Sequence, residues 1–119
     1  MITFVPATVK ALKERGYNQS EILAVNLSHA VGVPIFDGVK KVKETPHQAG
    51  LTAKERFENL KTAYRLNDKK LLTGKTMLIV DDVTTTGATS ESLAAKLKEA
   101  GAMKVYLLTV CSVSPPDHF

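Results

Sequence analysis

The sequence has no tryptophan and one cysteine, and aromatic residues make up only 6% of its 119 positions. A lone Cys111 excludes an internal disulfide framework and a cysteine-rich metal site within one chain. It fits a reducing, cytoplasmic setting, and it reads as a core thiol near a strand end rather than as a nucleophile. With so few aromatic rings, no base-stacking platform for nucleic acid is evident. Long hydrophobic runs are missing too. None approaches the roughly 20 residues that cross a bilayer, so no membrane association is expected. The opening Met1-Ile2-Thr3-Phe4-Val5-Pro6 has neither a basic stretch nor a long apolar core, and no secretory signal is expected there.

What is present is the composition of an ordinary globular protein, 44% hydrophobic and 24% charged. A chain of this size is expected to form one small domain, here residues 1–113, with a short tail at 114–119. The formal net charge of +4 is uneven: residues 1–70 hold twelve of the sixteen Lys and Arg. A basic first half suits an anionic ligand such as a diphosphate or a nucleic-acid backbone. The competing reading is solvated surface.

Hydrophobic spacing sets out the elements. Ile2, Thr3, Phe4 and Val5 read as a short strand stopped by Pro6. Over residues 7–17, Val9, Ala11 and Leu12 permit a helical turn, but Lys10, Lys13, Glu14, Arg15 and Gly16 favour an exposed loop. Asn18 with Glu21 three places on is a helix-start pattern. Leu23, Leu27, Ala30 and Val31 then fall on one helical face until Gly32 and Pro34 end it. A strand is expected near residues 39–42 and a loop over 45–50. Thr52 and Glu55 open a second helix as a capping pair, with Ala53, Phe57 and Leu60 on one face. Residues 63–66 read as an edge strand and 67–70 as a polar turn. Residues 76–80 are almost all apolar, the pattern of a central parallel strand buried on both faces. Residues 90–100 form a helix whose Leu93, Leu97 and Ala100 face the sheet, with Gly101 just past its end. Residues 105–110 read as another buried strand. This alternation predicts an α/β fold, a mainly parallel twisted sheet flanked by helices, with ligands beyond the carboxyl ends of the strands.

The chemistry concentrates in Leu78-Ile79-Val80-Asp81-Asp82-Val83-Thr84-Thr85-Thr86-Gly87-Ala88-Thr89. An apolar strand runs into two adjacent carboxylates, then a hydroxyl-rich turn with one glycine, then a helix. A helix start presents free backbone N–H groups and the positive end of its dipole. Successive N–H groups in a tight turn add a concave anion site. Thr84, Thr85, Thr86 and Thr89 can donate hydroxyls, and Gly87 lets the backbone approach a phosphate closely. Asp81 and Asp82, at the strand's carboxyl end, can accept hydrogen bonds from sugar hydroxyls or hold a hydrated Mg2+. One loop can thus grip a phosphorylated sugar at both ends. The competing reading is a solvated turn with helix-capping threonines, but two acids at a strand end are costly to bury without a partner.

This order of apolar strand, paired acids, spacer and Thr-Thr-Gly-Ala-Thr resembles the phosphoribosyl-diphosphate-binding motif of the type I phosphoribosyltransferases. The resemblance implies a phosphoribosyltransferase-like fold and roles for residues. Asp81 and Asp82 would contact the ribose hydroxyls, with Mg2+ held indirectly. Thr84, Thr85, Thr86, Gly87, Ala88 and Thr89 would hold the 5′-phosphate. Two more stretches narrow the likeness to the ComF-type competence-protein branch over roughly residues 5–110. They are Arg15-Gly16-Tyr17-Asn18-Gln19, and Thr45-Pro46-His47-Gln48-Ala49-Gly50-Leu51 leading to Arg56 and Asn59. By position, Arg15 is the cation for the diphosphate, and Asn18 is a helix cap or a ligand contact. Residues 40–60 match a hood that closes over the sugar phosphate. From it Lys41, and less directly Lys43, reach the diphosphate or remain surface charge. His47 is a weak candidate for proton transfer. Arg56 anchors the hood helix through a carboxylate or meets an anionic ligand. ComF-type proteins often carry a four-cysteine zinc module, for which this chain lacks the cysteines. The upstream strand and helix of a full transferase domain have no counterpart in it. A truncated or minimal chain is therefore expected, with an exposed sheet edge that a second copy can cover as a homodimer.

The resemblance implies transfer of a phosphoribosyl group from phosphoribosyl diphosphate to a nitrogenous base, with Mg2+ as cofactor and Asp81, Asp82 and Lys41 as catalytic candidates. Fixed cations stabilise the leaving diphosphate best once the hood excludes water. No acceptor-base pocket can be picked out from the sequence. The alternative is a non-catalytic accessory protein for DNA uptake, binding a phosphoribosyl ligand or single-stranded DNA.

Overall fold

The structure, a computed structural model, describes residues 1–7, 9–42, 52–84 and 88–112. Along the chain run β1 (Ile2–Phe4), α1 (Val9–Arg15), α2 (Gln19–Val31), β2 (Val39–Lys41), α3 (Ala53–Thr62), β3 (Tyr64–Leu66), a 3-10 turn at Lys69–Leu72, β4 (Thr76–Thr84), α4 (Ala88–Glu99) and β5 (Lys104–Ser112). The main sheet is parallel with β4 in the centre, Leu78 pairing with Ile2 on one side and Tyr106 on the other. β2 and β3 form a separate antiparallel pair, Lys40 opposite Arg65. This is the expected α/β architecture.

Both faces of β4 are apolar and both need cover. Met77 and Ile79 are buried with Leu93 and Leu97 of α4, and Phe36, Val39, Tyr64 and Leu66 bring the small sheet into the same core. On the other face Val80 packs with Ile2, Phe4 and Ala24, flanked by Leu23 and Leu27 of α2. Gly32, at φ +70°, closes α2 with its N–H on the Ser28 carbonyl at 2.9 Å. The Thr52 pattern also forms: the Glu55 N–H donates to Thr52 Oγ1 at 3.1 Å, and that hydroxyl donates to the Glu55 carboxylate at 3.0 Å. Among the described residues no helix is long and apolar enough to cross a membrane.

The structure corrects the sequence reading in four places. Residues 9–15, expected as an exposed loop, are helix α1. Its charged residues are good helix formers that stay solvated, and Gly16, at φ +82°, ends it with its N–H on the Leu12 carbonyl at 2.7 Å. On α2 the buried positions are Ser20 and Ala24, whereas Ala30 and Val31 are exposed. Val31 borders an apolar groove beside Tyr106, because α2 lies over β1 and β4 and leaves β5 open. β4 does not stop at Val80: its ladder with β5 continues through Asp81 opposite Thr109 to Thr84 opposite Ser112. Pairing, rather than hydrophobicity, sets where it ends. β5 is a strand as expected but is not buried. Tyr106, Leu107, Leu108 and Val110 are all exposed, Val110 by 67%. It lies at the sheet's edge. The opposite edge is partly occupied, since the Ile2 N–H donates to the Pro34 carbonyl at 2.9 Å and the Phe36 N–H to the Ile2 carbonyl at 2.7 Å. The 45–50 loop and the 114–119 tail lie outside the described residues.

Candidate functional site

Asp81 and Asp82 stand near the carboxyl end of the central strand. Successive strand side chains leave on opposite faces, so the two carboxylates need something to bring them together. Ser20, in the first turn of α2, does this. Its hydroxyl lies 3.3 Å from Asp82 Oδ1 and 3.5 Å from Asp81 Oδ1, and it accepts the Asp82 N–H at 3.2 Å. Ser20 and Asp81 are buried and Asp82 is half-buried.

Asn18 fixes where this helix start sits. Its side-chain oxygen accepts the Ser20 N–H at 3.1 Å, and its Nδ2 donates to the Val5 carbonyl at 3.1 Å. The Val5 N–H in turn donates to the Val80 carbonyl at 3.1 Å. The ends of β1 and β4 and the start of α2 are thus pinned to one another. Of the two roles open to Asn18, the structure shows the cap.

Burial, and then the adjacent charge of Asp82, hold the Asp81 carboxyl above its ordinary 3.8; the hydrogen bond from Ser20 acts in the opposite sense. Tyr64 of β3 belongs to the same neighbourhood, because the charge of Asp81 reaches its buried phenol. Neither Ser20 nor Tyr64 stands out in the sequence. The one available signal for Ser20 is its place two residues after a helix cap, where a side chain points back toward the strand ends. Ser90, in the first turn of α4, is also buried, and its hydroxyl has no hydrogen-bond partner among the described residues.

The remaining candidates are placed unevenly. Thr84 closes β4, and Ala88 and Thr89 open α4, located by backbone only. Thr85, Thr86 and Gly87 lie outside the described residues, as do Lys43 and His47; Arg56 is located by the backbone of α3. Arg15 is exposed at the end of α1 and Lys41 is half-buried on β2. The hydrogen bonds that Ser20 makes at the acid pair involve neither of them. Lys41 instead lines a cleft of about 460 Å³ between Phe4, Pro6 and Asn18 on one wall and Val39 and Arg65 on the other. That volume suits a small-molecule ligand. Among the described residues no cluster of three or more His, Cys, Asp or Glu could hold a metal unaided.

Residues 6–116 match the phosphoribosyl transferase domain family. The chain belongs to that family. It is 39% identical over 93 residues to Competence protein F of Haemophilus influenzae, an overlap of 76% of this chain and 41% of that protein. It is 38% identical over 112 residues to DNA utilization protein YhgH of Salmonella typhi, covering 92% of this chain and 48% of that protein. These relatives mark the phosphoribosyltransferase-type domain as ComF-type. The chain spans about half the length of the curated relatives it matches. The crystal structure of a purine phosphoribosyltransferase from Pyrococcus horikoshii shares the fold, with a TM-score of 0.54 at 22% identity over 95% of this chain and 68% of that one.

Proposed function

We propose that this ComF-type domain binds phosphoribosyl diphosphate with Mg2+ and transfers the phosphoribosyl group to a nitrogenous base. The observation that carries the reading is the Asp81–Asp82 pair, gathered by Ser20 near the end of β4 and followed directly by the start of α4. Two adjacent carboxylates, one of them buried, are costly to hold without donors. The vicinal hydroxyls of a ribose are two such donors. The start of α4 supplies backbone N–H groups for the 5′-phosphate, with Thr84, Thr85, Thr86, Gly87, Ala88 and Thr89 as its cradle. Arg15 and Lys41 supply positive charge for the diphosphate.

The two carboxylates also fit Mg2+, which keeps most of its waters and takes one or two carboxylates together with phosphate oxygens. When bound, the ion offsets the charge of the leaving diphosphate. The chain's own residues hold the sugar. Asp81 and Asp82 fix the ribose so that C1 meets the incoming nitrogen, and Phe4 and Val39 give the cleft beside Lys41 apolar surface. The C1–oxygen bond breaks with its electron pair leaving on the diphosphate, and the base nitrogen forms the new bond to C1, any proton it carried passing to the departing diphosphate or to water. The expected compartment is the cytoplasm.

Calorimetric titration with phosphoribosyl diphosphate and Mg2+ tests this. The wild type is expected to bind and Asp82→Ala to lose binding. A folded wild type that does not bind ends the proposal. Binding without diphosphate release across a panel of bases favours a non-catalytic accessory protein.

One observation favours a second reading, single-stranded DNA binding. Lys40 and Arg65 lie directly opposite each other, and like charges across an antiparallel pair are unfavourable unless an anion sits between them. The relatives' names refer to competence and to DNA utilization. This reading expects DNA affinity that falls steeply with salt and that is weakened by Lys40→Ser.

A further inference from the structure

We propose that Ser20 is a positioning residue that sets the orientation of the Asp81 and Asp82 carboxylates, and so governs recognition of the sugar separately from that of the 5′-phosphate. This rests on the phosphoribosyl reading above. A buried serine on a helix is unfavourable unless its hydroxyl is satisfied. Ser20 is 3% exposed and its hydroxyl is satisfied: it accepts the Asp82 N–H and reaches one Oδ1 of each acid. A hydroxyl has a single proton, so the two carboxylates share it, and both Oδ1 atoms are turned toward one point. Strand geometry alone would send them apart. The bracket is rigid because Asn18 ties the same helix turn to the Val5 carbonyl at 3.1 Å. Together with the hydrogen bonds that Asp82 makes to the Asp81 carboxyl, Ser20 therefore orients the pair before any ligand arrives, and that orientation decides whether two neighbouring sugar hydroxyls can both donate. The 5′-phosphate is gripped elsewhere in this reading, at the start of α4, and is indifferent to it.

The test compares wild type, Ser20→Ala and Ser20→Thr, titrated calorimetrically in Mg2+ with phosphoribosyl diphosphate, ribose 5-phosphate and inorganic phosphate. Ser20→Ala is expected to weaken both sugar phosphates roughly tenfold, the order expected for a lost hydrogen bond to a charged group, while inorganic phosphate binding stays unchanged. Ser20→Thr keeps the hydroxyl and is expected to restore most of the sugar affinity, with thermal unfolding confirming that each variant is folded. No weakening, or equal weakening of all three ligands, overturns the assignment. A ligand-free readout separates this from failure of the phosphoribosyl reading. Three-bond NMR couplings across Asp82 χ1 are expected to report one rotamer in the wild type and averaging in Ser20→Ala. Unchanged couplings overturn the assignment even if phosphoribosyl diphosphate binds, and averaged couplings uphold the hold on Asp82 even if it does not.

Discussion

Burial first, and the charge of Asp81 second, push the phenol of Tyr64 up from 10.0 to about 12. Tyr64 belongs to the small antiparallel pair and Asp81 to the main sheet, so the acid pair's field crosses from one sheet to the other. The site is electrically one unit even though two layers build it.

That relationship gives an alkaline signature. A phenol whose folded value exceeds its unfolded value keeps its proton longer in the native state. Its contribution is intact below pH 10.0 and is lost as pH rises toward about 12. Denaturant unfolding across that range should show a loss of up to about 2–3 kcal/mol, and Tyr64→Phe should remove that part of the slope. A Tyr64→Phe curve parallel to the wild type would contradict it.

Asp81 follows the same sign at acid pH. Its carboxyl is raised by burial and by Asp82, so the native state binds more protons than the unfolded chain just above 3.8. The contribution of this group to stability is fully present below that value and declines as pH rises through the raised one. Asp81→Asn should therefore flatten the profile and raise the thermal midpoint near neutrality. The same variant should lose phosphoribosyl diphosphate, a site that is held at a cost to the fold.

Asn18 caps α2 and ties it to β1 through two separate atoms. Asn18→Ala should destabilise by about 1–2 kcal/mol, the usual effect of a lost cap with a side-chain bond added. Asn18→Ser, which retains a capping oxygen but not the Val5 contact, should fall between. Urea midpoints give the order.

Gly38 sits where the chain enters β2, with its carbonyl accepting the Asn67 N–H at 2.8 Å. A Cβ there would press on the Asn67 carbonyl oxygen and the Phe36 ring. Gly38→Ala should destabilise by about 1–3 kcal/mol through overpacking, seen as a lower thermal midpoint, because the Asn67 obstacle is backbone and cannot swing away.

Much of the scaffold was legible because local chemistry and packing agree in it. Asn18, Gly32 and Thr52 sit where their capping bonds form, and the apolar run at Met77 and Ile79 is buried on a sheet covered on both faces. The failures share one cause. Charged α1, the overhanging Val31 and the open β5 are decided by what lies beside them in space, and hydrophobicity along the chain carries no record of that. The paired acids were legible from their place between a strand and a threonine-rich turn. Ser20 and Tyr64 were not, since their contacts to that pair close across distant stretches of chain.

The amino group of Met1 donates to the Thr76 carbonyl at 2.8 Å, across 75 residues. β1 therefore waits, during synthesis, for a partner that emerges much later. Closing so long a loop before any contact rewards it is slow. Ser20 meets the acids only in that same late step, so until β4 has emerged the chain has neither a complete sheet nor a ligand grip. Refolding should then gain binding and parallel pairing together, in one phase rather than in sequence.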